Sequence, residues 1–241
     1  MNQMRIRKSL SSLLKNYVTF TEKIEIEITG LTLDSRSVQT GELFFAYKGA
    51  SHDGRDFIQQ ACENGAAAIL YEPDNSQIEP ANFSIPVIPL KNLREQVGYI
   101  AANYYDNPSQ TLNIIAVTGT NGKTSCCQHL AQALGLCGYK TGVVGTLGNG
   151  IFGTLEPSLH TTPSPIAIQK QLYEFNQDKV AFVIIEASSH GLDQGRLNGV
   201  EIDIAIFTNL TRDHLDYHGD MQSYGNAKAK LFKFPSLKYT V

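Results

Sequence analysis

The chain has 241 residues, 42% of them hydrophobic and 18% charged, and a formal net charge of −3. That is the composition of a globular protein with one large domain or two modest ones, and it excludes the global basic field of a nucleic-acid binder. No apolar stretch is long enough to span a membrane, and the four cysteines (Cys62, Cys126, Cys127, Cys137) form no C-x-x-C pair, which points to a reducing cytoplasm.

The basic start at residues 1–8 is not followed by the apolar core of a signal peptide; Ile6, Leu10, Leu13 and Leu14 instead share one face of an amphipathic helix. Short strands are expected at 24–28, 43–46, 67–70 and 87–90, with helices over 55–64, stopped by Gly65, and over 93–105. Asn107-Pro108-Ser109 is the best linker signal, so the domains are read as 1–107 and 108–241. Strand and helix then alternate: strands at 112–117, 140–145, 180–186 and 203–208, and helices at 123–136, 165–176 and 221–232. Alternation of this kind predicts an α/β fold, a small mixed α/β domain followed by a parallel-sheet domain with ligands at the carboxyl ends of its strands.

At the first of those ends stands Gly119-Thr120-Asn121-Gly122-Lys123-Thr124-Ser125. A glycine turn from an apolar strand into a helix aims backbone N–H groups at phosphate oxygens. Lys123 would neutralise phosphate charge, and the Thr124 hydroxyl would sit on Mg²⁺. The general spacing G-x-x-x-x-G-K-[ST] would require glycine at 117, where the chain has Val117. The alternative is a plain glycine turn before a surface helix.

Glu186 closes the run Val183-Ile184-Ile185, and a carboxylate facing a phosphate loop is placed to bind Mg²⁺. Asp213, His214, Asp216 and His218 crowd the segment after the strand at 203–208 and could ligate metal or move protons. Ser164 is read as an N-cap with Pro165 at the first helical position, which leaves Thr161 and Thr162 for a polar ligand. Ser188, Gln194 and Arg196 suit a phosphate, sugar or carboxylate; Ser188-Ser189-His190 lacks the G-x-S-x-G elbow of a serine hydrolase. On residue type alone, Lys228 and Lys230 read as a solvated helix face.

Together these segments resemble the Mur ligase family, most closely its MurE-type tripeptide synthetases, over essentially the whole chain. Leu33-Asp34-Ser35-Arg36, then Gly41-Glu42-Leu43-Phe44, match a family motif that holds a uridine nucleotide-sugar. The resemblance implies that Leu33, Ser35, Ala50, Ser51 and His52 contact UDP-N-acetylmuramate, and that Thr161, Thr162, Ser188, Gln194 and Arg196 hold the sugar-peptide, with His160 where the family often has Asn. It makes residues 119–125 the ATP loop and so accounts for Val117. It gives catalytic roles to Lys123, Glu186, His214 and Lys228. Thr124 and Glu186 would hold a first Mg²⁺. His214 and a carbamylated Lys228 would hold a second, with Lys230 the solvated partner. The implied activity is ATP-dependent, ADP-forming addition of meso-diaminopimelate or L-lysine to UDP-MurNAc-L-Ala-D-Glu through an acyl phosphate, in a cytoplasmic monomer without nucleic-acid or membrane partners. Family members continue into a third domain, so a chain of 241 residues is expected to be an incomplete ligase that binds its ligands without completing ligation alone. The alternatives are a non-catalytic UDP-sugar/ATP-binding fragment and a related amide ligase such as folylpolyglutamate or cyanophycin synthetase.

Overall fold

Short apolar runs separated by helix-length segments build two parallel sheets, one in each half of the chain. The computed structural model describes residues 6–19, 25–49, 52–74 and 78–241. The chain divides into two compact units, Met1–Tyr104 and Tyr105–Val241.

The first unit begins with β1 (Lys8–Ser9) and α1 (Leu10–Leu14), in which Ser9 caps the helix and Leu10, Leu13 and Leu14 are buried. Ile6 lies ahead of this helix, so the expected four-residue apolar face shrinks to three. β2 (Glu27–Ile28) pairs antiparallel with β1. Then β3 (Gly30–Thr32), β4 (Glu42–Ala46), β5 (Ala68–Tyr71) and β6 (Val87–Pro89) form a parallel sheet in that order. The helix expected over 55–64 is a 3-10 turn, Gly54–Phe57, followed by α2 (Ile58–Glu63). The turn is set by Asp53, which accepts from the Arg55 amide and holds the Arg55 guanidinium. α3 (Leu93–Tyr104) completes the unit.

In the second unit Asn107-Pro108-Ser109 is not a loose linker. Pro108 and Ser109 are buried in a 3-10 turn, the Pro108 carbonyl accepts from Asn176 Nδ2 at 2.8 Å, and Ser109 Oγ accepts from the Glu201 amide at 3.0 Å. β7 (Asn113–Thr118), α4 (Lys123–Leu136), β8 (Thr141–Gly145), β9 (Gly148–Ile151), α5 (Pro165–Gln177), β10 (Phe182–Glu186) and α6 (Ser189–Asp193) follow. The unit ends with β11 (Ile204–Phe207), α7 (Leu215–His218), α8 (Met221–Ala229) and β12 (Tyr239–Thr240). The strand order is β12-β11-β7-β10-β8-β9, parallel except for β9 on the edge. Successive strand residues point to opposite faces. Ile114, Ala116 and Ile185 pack with Leu172 and Phe175 of α5 and Leu192 of α6, whereas Ile115, Val117 and Ile184 pack with Cys127 and Ala131 of α4. Both faces of the sheet are therefore covered, and polar residues collect where β7, β10 and β11 end. No helix among the described residues is long and apolar enough to cross a membrane.

Candidate functional site

The loop between β7 and α4 is shaped by two glycines and held by the segment after β11. Gly119 has φ +146° and Gly122 φ +85°, conformations that side chains rarely adopt. A Cβ on Gly119 would overlap Thr208 Oγ1 and press on the Asn209 backbone. Asn209 O accepts from the Thr120 amide at 2.8 Å and Asn209 Oδ1 from the Asn121 amide at 3.1 Å, while Thr208 Oγ1 donates to Asn121 O at 2.6 Å. Thr120 Oγ1 donates to Thr211 O, accepts from Thr211 N and is met by the Tyr224 hydroxyl at 3.1 Å. Residues 208–211 thus fix the loop's shape before any ligand arrives.

α4 starts at Lys123 with Gly122 as its N-cap, which makes no side-chain capping bond, and no acidic residue lies in its first turn. Its first N–H groups are left for an anion. Two ammonium groups converge beside them. Lys123 Nζ donates to Gly119 O and Thr120 O, both at 2.8 Å, and Lys228 Nζ donates to the same Gly119 O at 2.7 Å. Lys228 is 2% exposed and lies 4.4 Å from the Tyr224 ring centroid, so it is not part of a solvated face. Burial, and then the nearby Lys123 charge, push its pKa down to about 8; burial also lowers that of Lys123. Lys230 is not free in solvent either: it pairs with Asp193 at 2.7 Å.

Glu186 ends β10 on the other side of the loop and is 1% exposed. Its carboxylate accepts from Thr124 Oγ1 at 2.8 Å, from the Thr146 amide at 2.9 Å and from Thr146 Oγ1 at 3.1 Å. Thr146 also meets Thr161 Oγ1 at 3.0 Å. Thr162 donates to Glu186 O at 2.7 Å and accepts from Ser188 N at 3.0 Å. Ser188 Oγ is engaged within the fold: it caps α6 by accepting from the Gly191 amide and meets Thr162 Oγ1 at 2.9 Å. Arg196 donates to Thr162 O at 2.6 Å and grips Gln194 Oε1 through Nε and Nη2. Thr161, Thr162, Ser188, Gln194 and Arg196 therefore form one connected border to the Glu186 carboxylate.

His214 stands at the N-cap of α7 with φ +49°. Its ring lies 4.9 Å from that of His190 and 6.2 Å from that of Tyr224, which puts it on the same tyrosine as Lys228. No three His, Cys, Asp or Glu side chains among the described residues are arranged to hold a metal unaided. Among the described residues, buried polar atoms without a partner include Thr118 Oγ1 at the end of β7, Ser189 Oγ at the start of α6 and His218 Nε2 at the end of α7.

The first unit contributes a separate cavity of about 520 Å³, lined by Leu33, Ser35, Phe45, Tyr47, His52 and Phe57 among others. Ser35 is buried and donates to Gln60 Oε1 at 2.7 Å, so it shapes the wall with its hydroxyl already engaged. Ala50 and Ser51 lie outside the described residues.

Sequence reasoning missed Thr146, Tyr224, Tyr217 and Asp193. Tyr224 was within reach, since it precedes Lys228 by one helical turn and so shares its face.

The Mur ligase middle domain matches residues 117–241, and the domain described as "Mur ligase family, catalytic domain" matches 27–105. The chain is 49% identical over 214 residues to a UDP-N-acetylmuramoyl-L-alanyl-D-glutamate–2,6-diaminopimelate ligase of Coxiella burnetii, covering 88% of this chain and 43% of that protein. It is 50% identical over 217 residues to the protein of the same name in Pseudomonas aeruginosa, covering 90% and 44%. A solved structure of a protein with that name superposes with a TM-score of 0.83 at 36% identity, over 97% of this chain and 46% of that one. The chain thus spans less than half the length of these relatives. A MurF structure from Acinetobacter baumannii, at 19% identity and a TM-score of 0.63 over 95% of this chain and 46% of that one, shares the fold. The chain belongs to the Mur ligase family.

Proposed function

We propose that this chain carries the ATP-binding and nucleotide-sugar-binding parts of an ADP-forming amide ligase that acts on UDP-MurNAc-L-Ala-D-Glu. The observation that carries this reading is the convergence of Lys123 and Lys228 on Gly119 O beside the uncapped start of α4. The Lys123 ammonium and a helix N-terminus suit a triphosphate, whose charge they would offset, with Lys228 beside them. The border from Thr161 to Arg196 would hold the sugar-peptide so that its D-Glu carboxylate attacks the γ-phosphorus. ADP leaves, an acyl phosphate forms, and an incoming amine displaces phosphate to give the amide. The names of the relatives favour 2,6-diaminopimelate over L-lysine as the amine.

The residues present fit magnesium. The Thr124 hydroxyl and Glu186 carboxylate, 2.8 Å apart, offer hard oxygen donors for one ion. His214 and Lys228, both against the Tyr224 ring, would hold a second ion once the lysine is an anion. With its pKa near 8, roughly a tenth of Lys228 is neutral amine at pH 7. That amine can bond to the carbon of CO₂ and release a proton to leave a carbamate beside the Tyr224 ring. Bound Mg²⁺ would offset negative charge on the phosphates. The cavity of the first unit, with Leu33 and His52 in its wall, would take the uridine nucleotide. A cytoplasmic, monomeric protein belongs to the same reading, in keeping with four free cysteines.

Calorimetric titration tests this. UDP-MurNAc-L-Ala-D-Glu and Mg-ATP should each give saturable heat, and the two together with the diamino acid should show whether ADP is released. Silence with both ligands would overturn the reading.

A further inference from the structure

His214 and Lys228 sit on two different elements, α7 and α8. α7 has four residues, and its N-cap His214 makes no capping side-chain bond. The left-handed backbone of His214, φ +49°, persists in a histidine only where neighbours over-determine it. Lys228 lies in the last turn of α8.

One carboxylate at the end of α6 reaches both elements. Asp193 Oδ1 accepts from Lys230 Nζ at 2.7 Å, two residues past Lys228, and Asp193 Oδ2 accepts from the Tyr217 hydroxyl of α7 at 3.1 Å. The Tyr217 ring lies 4.2 Å from that of His190, which in turn meets the His214 ring edge-on. The chain of bonds continues from Tyr217 OH to Gln194 Nε2 at 3.2 Å, and from there through Arg196 to Thr162 O. We propose that Asp193 and Tyr217 are positioning residues that fix the spacing of His214 and Lys228, and that they tie this spacing to the Gln194–Arg196 border. The proposal rests on the reading of His214 and Lys228 as the second metal pair.

Fold support is the competing role, and exposure argues against it. Asp193 and Lys230 side chains are 37% and 46% exposed, and ion pairs that open to water add little to stability. What the network supplies is geometry.

The test counts Mn(II) bound to the full chain by electron paramagnetic resonance, with a non-hydrolysable ATP analogue present, alongside the melting temperature. The native chain should hold two ions. Tyr217→Phe removes one hydroxyl and Asp193→Asn one charge. Each should leave the first ion and the melting temperature unchanged and weaken the second ion by about tenfold. Asp193→Glu should recover part of the loss. Unchanged affinity for the second ion in both variants overturns the proposal. So does a parallel loss of both ions and of melting temperature, which would mark plain structural support. A native chain that holds one ion overturns the two-metal reading itself, a result distinct from a native chain with two ions and variants with two.

Discussion

β4 and β7 are both buried apolar strands inside parallel sheets, yet the segments that follow them make different sites. After β4 the chain turns through Tyr47 and Gly49 into a 3-10 turn, and the cavity there is walled by Phe45, Tyr47, His52 and Phe57. After β7 it turns through two positive-φ glycines into a fourteen-residue helix, with Lys123, Lys228 and Glu186 around the turn. Rings and a hydroxyl suit a base and a sugar, whereas cations and free amides suit phosphates. Sheet architecture is shared; under the proposed function it is the connection that decides the ligand. If that is right, changes around β7 should abolish ATP binding and leave the nucleotide-sugar untouched.

Gly119→Ala should have the largest effect. Its Cβ would collide with Thr208 and Asn209, and φ +146° is hostile to alanine. Together, strain and overpacking should destabilise the second unit by about 2–4 kcal/mol. Calorimetry should show no Mg-ATP binding and an unchanged response to the muramyl dipeptide nucleotide. Loss of both responses would break the division of labour. Lys123→Ala should act next, because the proposed charged partner of the phosphates goes while the loop stays; ATP affinity should fall by roughly 10- to 100-fold with melting unchanged.

Much of this loop was legible before the structure, and the reason is local. Glycine and lysine mark the start of α4, and the expected span 123–136 is the observed Lys123–Leu136. β9 was not legible: Gly148-Asn149-Gly150-Ile151 shows no apolar alternation and pairs only because β8 lies beside it. The helix expected over 221–232 gives way to a 3-10 turn at Lys230, where Leu231 turns into the core. The burial of Lys228 was visible only through family resemblance, since nothing in Ala227-Lys228-Ala229-Lys230 separates one lysine from the other. The partners that separate them, Gly119 and Asp193, lie 109 and 37 residues away in sequence.

Lys228→Met tests that burial through pH, in bicarbonate-free buffer. Below about pH 8 the lysine is charged in both folded and unfolded chains, and folding bears the full desolvation penalty. Between about 8 and its ordinary 10.5 the folded chain has released the proton and the unfolded chain still holds it, so native stability rises with pH. At pH 7 the substitution should therefore stabilise the chain by up to about 3 kcal/mol, less whatever the lost bond to Gly119 O contributes. The advantage should fade as pH climbs to 10.5. A melting-temperature difference that is flat with pH would mean the amine is not desolvated.

Ser164→Ala should give the smallest effect and sets the outer limit of the comparison. Ser164 Oγ accepts from the Ala167 amide at 3.2 Å, with Pro165 opening α5 behind it. Removing the cap should lower stability by about 1 kcal/mol, because one N–H of the first turn loses its acceptor. Two residues before Ser164, Thr162 bonds Glu186 O, which gives a frayed α5 a route to the proposed phosphate site. Thr162, however, is also held by Ser188 N and by Arg196, neither of which belongs to α5. ATP affinity should therefore stay within about twofold of native while the melting temperature falls by a few degrees. A tenfold loss of ATP affinity would show that the phosphate chemistry extends past the β7 connection into the packing of α5, and the contrast between the two sheets would then lie in whole layers.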